Sequence, residues 1–180
     1  ESWLPYRNSF DVVWSGRRHV VMGASQVGRY GDTNISAIGP WERPRVQLLG
    51  ARGAPGNTVN HKTSYWVAAH SARIFVEPVD FVSGIGPRRA AEAGGTLPRH
   101  NQIRFVVTDL GVFDFQGAGG CMRLVTLHPG VAAEEVVEKT GFPVEIPERP
   151  EITREPTGEE LRLIREVIDP KGLRLKEVAA

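Results

Sequence analysis

Short apolar runs separated by polar, glycine-containing turns recur along this chain, and their lengths predict an α/β protein. Each run has the length of a β-strand and is too short for a typical helix. Predicted strands occupy the end of residues 14–25 (HVVMGAS) and residues 73–79, 103–109 and 122–126. The first run is rich in valine and stops at Gly23, which is typical of a buried strand that feeds a ligand-binding loop.

Helical spacing and capping residues fall between and after these runs. Predicted helices occupy residues 58–69, 131–140 and 157–168. Asn57 is a favourable N-cap for the first, and Gly141 is a favourable stop after the second. Thr157 caps the third, with Glu160 at the capping-box position. Strands and helices therefore alternate, which predicts a layered α/β domain.

Composition shifts predict how the chain is organised. We expect an α/β domain over residues 1–142, an extended Pro-rich linker over 143–156 and a C-terminal helical arm over 157–180 that serves docking. The residues between Gly86 and His100 are rich in Ala, Gly, Pro and Arg, and they predict an exposed loop. Because the chain begins with Glu1 rather than Met, we expect upstream sequence to be missing or to lie on another chain.

Charge and hydropathy exclude several classes of protein. The 180 residues include 22 basic and 21 acidic side chains without a basic run, which argues against a nucleic-acid or anionic-membrane surface. No segment is long and apolar enough to span a membrane, and no secretory leader opens the chain. We expect a cytoplasmic protein of one α/β domain.

Few side chains in this sequence suit catalysis or metal binding. Cys121 is the only cysteine, so a disulfide within the chain and a thiolate metal cluster are both excluded, and an inert buried thiol is favoured. His61 and His70 do not have the spacing of a helical zinc site, and no metal site is predicted. The serines lack a GxSxG context, and no carboxylate lies in a small-residue turn. The chain therefore offers no convincing nucleophile.

Glycines at positions 50, 53 and 56 lie directly before a predicted helix. Closely spaced glycines let the backbone approach a ligand and direct N–H groups towards an anion or a developing oxyanion. The spacing matches neither GxGxxG nor a Walker loop. On this segment alone, an active-site loop and a turn that needs glycine only for its backbone conformation both remain open.

A second polar segment, residues 23–39, follows the first predicted strand. Gln26 and Asn34 offer amide donors and acceptors for a polar substrate, although a polar hairpin would explain the same composition. The turn from Ser83 to Gly86 follows another predicted strand and could face the same cleft. His61, on the first turn after the glycine loop, is a further candidate.

Four ordered segments resemble the beta half of the family I coenzyme A transferases between about residues 9 and 142. They are MGASQVGRYGDTN, LLGARGAPGN, VVTDLGVFDF and LHPGVAAEEVVEKTGF. The resemblance implies an open α/β/α sheet of the NagB/RpiA-like type. It also implies work on acyl-CoA thioesters, with coenzyme A as substrate and no permanently bound cofactor.

The resemblance assigns roles to particular residues. Gly53 matches a glycine whose amide faces the substrate carboxylate or thioester oxygen, and Ala54 beside it is a second backbone candidate. Ser25 and Arg73 match residues near coenzyme A. The remaining substrate-binding candidates are Gln26, Asn34, Gly50, Asn57 and Ser83, with His61 as a further catalytic candidate. In the family loop, Arg52 replaces a glycine and Gly56 replaces an aspartate.

The glutamate that these transferases use lies upstream of Ser9 in the family pattern and is absent here, so truncation or a partner subunit must account for it. The resemblance implies an alpha subunit as partner, in an αβ or α2β2 enzyme. The segments RGAPGNTVNHKTSYW, VSGIG and LIREVIDPKGLR further resemble beta subunits of steroid ring-opening hydrolases, whose glutamate is on the alpha subunit. Three functions remain open: transfer of CoA between carboxylic acids, which we favour here, ring-opening C–C hydrolysis of a cyclic keto acyl-CoA, and a non-catalytic binding module.

Overall fold

The computed structural model describes residues 3–176, and it has a central six-stranded sheet. In chain order the elements are α1 (Tyr6–Trp14), β1 (His19–Gly23), β2 (Gln26–Val27), β3 (Thr33–Asn34), β4 (Ala37–Ile38), β5 (Val46–Gln47), α2 (Ala54–Asn60), β6 (Lys62–Val67), α3 (Pro87–Ala93), α4 (Leu97–His100), β7 (Gln102–Thr108), β8 (Gly111–Asp114), β9 (Arg123–Leu127), α5 (Ala133–Lys139), β10 (Glu151–Ile152) and α6 (Gly158–Arg162). A π-helical turn (Leu163–Ile168) extends α6, and 3₁₀ turns occupy Ala118–Gly120 and Leu173–Lys176.

The strand order in the sheet is β1-β6-β7-β8-β9-β10. Strands β1, β6 and β7 are parallel, β8 is antiparallel to both of its neighbours, and β10 is parallel to β9. The remaining strands form two short antiparallel ribbons, β2-β3 and β4-β5. The predicted α/β class is confirmed, and the parallel half of the sheet places the ends of β1 and β6 at one edge.

The hydrophobic core lies on one face of this sheet. Tyr65, Val106, Phe113 and Leu124 project from four strands and are almost completely buried, and Val136 of α5 packs into the same cluster. Burying large apolar side chains stabilises a fold by roughly 1.5–3 kcal/mol each. The sheet and α5 are therefore the rigid frame against which the loops are positioned.

Several predicted elements are present at their expected positions. Strands β7 and β9 match the predictions over 103–109 and 122–126, and α5 matches the helix predicted over 131–140. The capping box at α6 is also confirmed, since Thr157 Oγ1 accepts from Glu160 N and Glu160 Oε2 accepts from Thr157 N. The arm exposes several apolar side chains, namely Leu163, Ile164, Val167 and Ile168.

The helix predicted over residues 58–69 is wrong. The helix there is α2, which starts four residues earlier at Ala54 and ends at Asn60, and residues 62–67 form β6. Thr63, Tyr65 and Val67 are buried on one face of the sheet, between β1 and β7. β-branched and aromatic residues favour this extended conformation once two neighbouring strands are available.

Two further predictions are corrected. The segment 73–79 begins in a turn instead of a strand, because Phe75 N donates to Ser71 O four residues earlier. Its one strand-like contact is an isolated bridge between Phe75 and Val27. Residues 87–100 form α3 and α4 instead of a loop, and the buried Ala90 anchors α3.

The predicted burial of β1 is also wrong, because β1 is an edge strand and Val21 is 65% exposed.

The segment 143–156 is extended and lies along β9. Glu145 N donates to Met122 O, Leu124 N donates to Glu145 O, and Thr153 N donates to Leu127 O. Residues 1–2 of the predicted domain and 177–180 of the predicted arm lie outside the described residues. Within residues 3–176, no helix is long and apolar enough to cross a membrane.

Candidate active site

A cleft of about 420 Å³ opens where β1 ends. Its walls come from the end of β1, from the loop after it, from the segment before α2 and from the start of α2. The lining residues are Met22, Gly23, Ser25, Ile35, Leu48, Leu49, Arg52, Gly53 and Ala54. Three predicted site residues, Ser25, Gly53 and Ala54, therefore meet in one cleft.

The glycine loop enters α2 through two left-handed residues. Gly50 has φ +81° and Arg52 has φ +49°, while Gly53 has an ordinary φ of −85° and is the N-cap of α2. Left-handed backbone is easy for glycine and uncommon for arginine. Gly50 thus shapes the loop without lining the cleft, and the loop turns so that Arg52 and Gly53 both reach it.

The two predicted backbone donors differ in what they already bind. Ala54 N donates to Ala51 O at 3.0 Å, whereas Gly53 N has no acceptor within the described part of the chain. A free N–H at the wall of a cleft can bind a carbonyl oxygen and stabilise negative charge as it develops there. The amide of Gly53 is therefore the available donor of this pair.

No carboxylate lines the cleft in the described part of the chain. Among its lining residues only Ser25 and Arg52 have polar side chains, and the rest are apolar or glycine. Within residues 3–176, no group of three or more His, Cys, Asp and Glu side chains is arranged to hold a metal ion. The Gly53 N–H could polarise a carbonyl group in this cleft, but the described lining has no carboxylate or imidazole that could serve as a base.

Gln26 and Asn34 are committed to holding the β2-β3 hairpin together. Asn34 Nδ2 donates to Gln26 Oε1 at 2.7 Å and to Ala37 O at 2.6 Å. Gln26 Nε2 donates to Asp80 Oδ2 at 3.0 Å, and Asp80 N donates back to Gln26 Oε1. Both side chains are buried and neither lines the first cleft, whereas Gln26 also lines a second cleft described below.

Ser83 and Asn57 lie behind the cleft wall. Ser83 Oγ accepts from Ile35 N at 2.9 Å and is 2.7 Å from Ser36 Oγ. Asn57 Nδ2 is 2.8 Å from the sulfur of Met22, and so α2 is joined to the end of β1. Each contact fixes a residue that lines the cleft, so both residues position its walls.

His61 lies at the opposite end of the parallel strands, where β1 and β6 begin. His19 pairs with Lys62 and Gly23 pairs with Trp66, so the residue before β6 is remote from the cleft at the end of β1. The ring is buried, neither nitrogen has a hydrogen-bond partner among the described residues, and burial lowers its pKa. The structure does not bring His61 together with Gly53.

Arg73 lines a second cleft of about 560 Å³. Its lining residues are Gln26, Ile38, Arg45, Val46, Arg73, Val76 and Asp80. The β4-β5 ribbon contributes to it through the paired residues Ile38 and Val46, while Leu48, two residues further on, lines the first cleft. The sequence did not indicate Arg45 as a site residue, because only the folded ribbon places Arg45 in the same cleft as Arg73.

The sequence also did not indicate the apolar wall of the first cleft. Ile35, Leu48 and Leu49 follow the polar hairpin and precede the glycine loop, and this position is the only local signal for them. The sequence pointed instead to the polar residues around them as site candidates. Most of these polar side chains support the backbone of the loops.

Comparison with known proteins identifies relatives of this chain. No protein-family model matches the chain. It is 52% identical over 179 residues to the cholesterol ring-cleaving hydrolase IpdB subunit of Rhodococcus jostii, covering 99% of this chain and 70% of that protein. For the IpdB subunit of Mycobacterium tuberculosis the identity is 53% over 178 residues, covering 99% and 71%. The B subunit of the 3-oxoadipate CoA-transferase of Pseudomonas knackmussii is 32% identical over 146 residues, covering 80% and 56%.

Solved structures give the same grouping. The crystal structure of Rhodococcus jostii RHA1 IpdAB matches with a TM-score of 0.93 at 52% identity, over 100% of this chain and 72% of that one. The decarboxylase AibA/AibB matches with a TM-score of 0.81 at 28% identity, over 97% and 67%. Glutaconate coenzyme A-transferase from Acidaminococcus fermentans matches with a TM-score of 0.78 at 26% identity, over 97% and 66%.

The mixed sheet, with a glycine loop beside the end of its first strand, is the fold of a CoA-transferase-type subunit. Within that class, the chain belongs to the family of CoA-transferase B-like subunits that includes the cholesterol ring-cleaving hydrolase subunit IpdB. The resemblance stated from the sequence is confirmed.

Proposed function

We propose that this chain is the beta subunit of a two-subunit hydrolase that opens a carbon ring attached to a CoA thioester. Its identity to ring-cleaving hydrolase subunits is 52–53%, against 30–32% to CoA-transferase B subunits, which supports hydrolysis over transfer. The sequence alone had favoured CoA transfer. In this proposal coenzyme A is part of the substrate, and the enzyme needs no resident cofactor.

The observation that carries the proposal is a cleft with a free Gly53 amide and no carboxylate. Hydrolysis of a C–C bond requires a base for the attacking water, and transfer requires a carboxylate nucleophile. Either group must therefore reach the cleft from outside its described lining. We assign it to an alpha subunit that closes over the cleft.

The proposed reaction begins with water attacking a ring ketone. The water oxygen forms a bond to the ketone carbon as the alpha-subunit carboxylate takes a proton. The bond to the neighbouring ring carbon then breaks, and its electron pair passes into the enolate of the adjacent thioester. Gly53 N–H donates to the thioester oxygen, where this charge develops. Protonation of that carbon by the carboxylic acid completes the addition of one water molecule and regenerates the carboxylate.

Substrate binding divides between the two clefts in this proposal. The first cleft holds the acyl group and thioester, with Ser25 beside it. Arg73 and Arg45 line the second cleft, where guanidinium groups suit the phosphates of coenzyme A.

A trapping experiment separates hydrolysis from transfer. The intact complex of this chain with its alpha subunit is incubated with 2-oxocyclohexanecarboxyl-CoA in ¹⁸O-labelled water and then treated with borohydride. Hydrolysis predicts one labelled oxygen in the new carboxylate and no reduced glutamate in either subunit. A family I CoA transferase with its own substrate is the positive control for the trap.

The alternatives make different predictions in the same assay. A trapped glutamyl thioester on the complex would support transfer and contradict the proposal. Binding of the ester without turnover by a complex that has a carboxylate at Gly53 would also contradict it. A complex in which no carboxylate approaches Gly53 would support the binding-module alternative.

A further inference from the structure

Among the described residues, Arg52 is the one charged side chain that lines the first cleft, and Ser25 is the one other polar side chain there. Arg52 lies at its wall with Met22, Ile35 and Leu48. Arg52 is an exposed residue, and its side chain has no ion-pair partner within residues 3–176. A cation placed beside apolar walls suits a ligand that has an apolar body and one anionic group.

The backbone at Arg52 gives a second reason to assign a role to its side chain. Its φ of +49° is the left-handed conformation that glycine adopts without steric cost. Strained residues of this kind concentrate at ligand sites, where the surrounding structure holds them. An arginine at this position, two residues after Gly50, therefore points to a function for its guanidinium.

We infer that Arg52 is a specificity-determining residue that binds a carboxylate on the acyl group of the substrate. The inference rests on the proposed function, because it uses Gly53 as the residue that faces the thioester. Arg52 and Gly53 line the same cleft, so one ligand bound there can contact both. The CoA phosphates are separated from the thioester by the whole pantetheine arm, so an anion near Arg52 belongs to the acyl group.

Binding of two matched thioesters to the intact complex tests this inference. Glutaryl-CoA has a terminal carboxylate, and pentanoyl-CoA has the same carbon chain without it. We expect the wild-type complex to bind glutaryl-CoA about 10-fold more tightly in calorimetry. Arg52→Gln and Arg52→Gly should remove this preference and leave pentanoyl-CoA binding unchanged, while Arg52→Lys should keep part of it.

Two controls separate this effect from general charge and from misfolding. Arg43→Gln removes the same charge from an exposed loop that lines neither cleft, and it should keep the preference. Arg52→Gly should melt no lower than wild type, because glycine relaxes the left-handed backbone.

Three outcomes overturn the inference. An equal loss for both thioesters in the Arg52 variants would assign the arginine to the CoA phosphates. Equal binding of both thioesters by wild type would remove its role in specificity while leaving the proposed function in place. If the wild-type complex bound neither thioester, the proposed function would fail together with the inference.

Discussion

The two clefts differ in the chemistry of their walls, although parts of one ribbon and its flanking loops line both. The first, at Gly53, is mainly apolar, and Arg52 is the one charged group in its described lining. The second contains three charged side chains and one amide beside a few aliphatic ones, namely Arg45, Arg73, Asp80 and Gln26. Under the proposed function, this difference would let the first cleft select the acyl group and the second bind the common, charged part of a CoA ester.

The largest effect is expected from filling the first cleft at its main-chain donor. Gly53→Val adds a branched side chain where the thioester oxygen would approach. We expect kcat/KM to fall by roughly 100- to 1000-fold, as for loss of an oxyanion-hole donor. Steady-state kinetics of the intact complex check this.

Gly53→Ala is the matched control for this substitution. Its Cβ would lie 3.4 Å from Asn57 Nδ2, an ordinary contact, and the backbone angles suit any L-residue. We expect an intermediate activity and an unchanged melting temperature. Wild-type turnover in the valine variant would refute the role of Gly53.

Binding comparisons between the clefts require a pH at which the fold is intact, and we expect His70 to contribute to the acidic limit of that range. Its ring is stacked on Phe75 with 3.8 Å between centroids and lies 2.9 Å from Thr140 Oγ1. Burial lowers the pKa of His70 to about 4, with Asp109 opposing this shift and Lys139 adding to it. In the unfolded chain the pKa returns to about 6.5.

The sign of the pH dependence follows from these two values. Below about pH 6.5 the unfolded state binds the extra proton, so stability falls as the pH falls towards 4. The loss is on the order of 3 kcal/mol between pH 7 and pH 4. Urea titrations across this range check it, and His70→Gln should flatten the profile. An unchanged slope in that variant would exclude His70, leaving His61, whose pKa is also lowered, as the next group to test.

Much of the frame could be predicted because its signals are local. Strands β7 and β9 are short apolar runs with polar ends, and α5 has helical spacing before Gly141. Segment 62–67 was mistaken for a helix because Val59, Thr63, Trp66 and Val67 also fit a helical period. The segment forms a strand, β6, because it pairs with β1 and β7, which are distant from it in sequence.

The candidate site was predictable in its backbone and less so in its side chains. The glycine spacing before α2 indicated the loop at Gly53, because a backbone that approaches a ligand closely is often rich in glycine. The sequence around Gln26 and Asn34 looks the same whether their side chains bind a ligand or stabilise a hairpin. The direction in which these side chains point depends on tertiary pairing. Arg45 became a candidate only through the β4-β5 ribbon.

A smaller effect is expected in the second cleft. Arg45→Gln and Arg73→Gln should each weaken binding of every CoA ester by about 10-fold, because each removes charge-assisted hydrogen bonds to phosphate. The ratio of glutaryl-CoA to pentanoyl-CoA affinity should stay the same, in contrast to Arg52 variants. Calorimetry at low and high salt checks this, since screening should reduce the effect. A change in that ratio would contradict the division between the clefts.

The smallest effect is expected from Ser83, which supports the wall of the first cleft without lining it. Ser83→Ala leaves the Ile35 N–H without its acceptor and Ser36 Oγ without its neighbour, a loss of roughly 1–3 kcal/mol in stability. Because Ile35 lines the cleft, we expect pentanoyl-CoA affinity to fall by only about 3-fold. Ser71→Ala is the control, since its hydroxyl has no hydrogen-bond partner in the described part of the chain. If Ser83→Ala weakened the binding of free coenzyme A by the same factor, Ser83 would act on the second cleft as well, and the proposed division between the clefts would be contradicted.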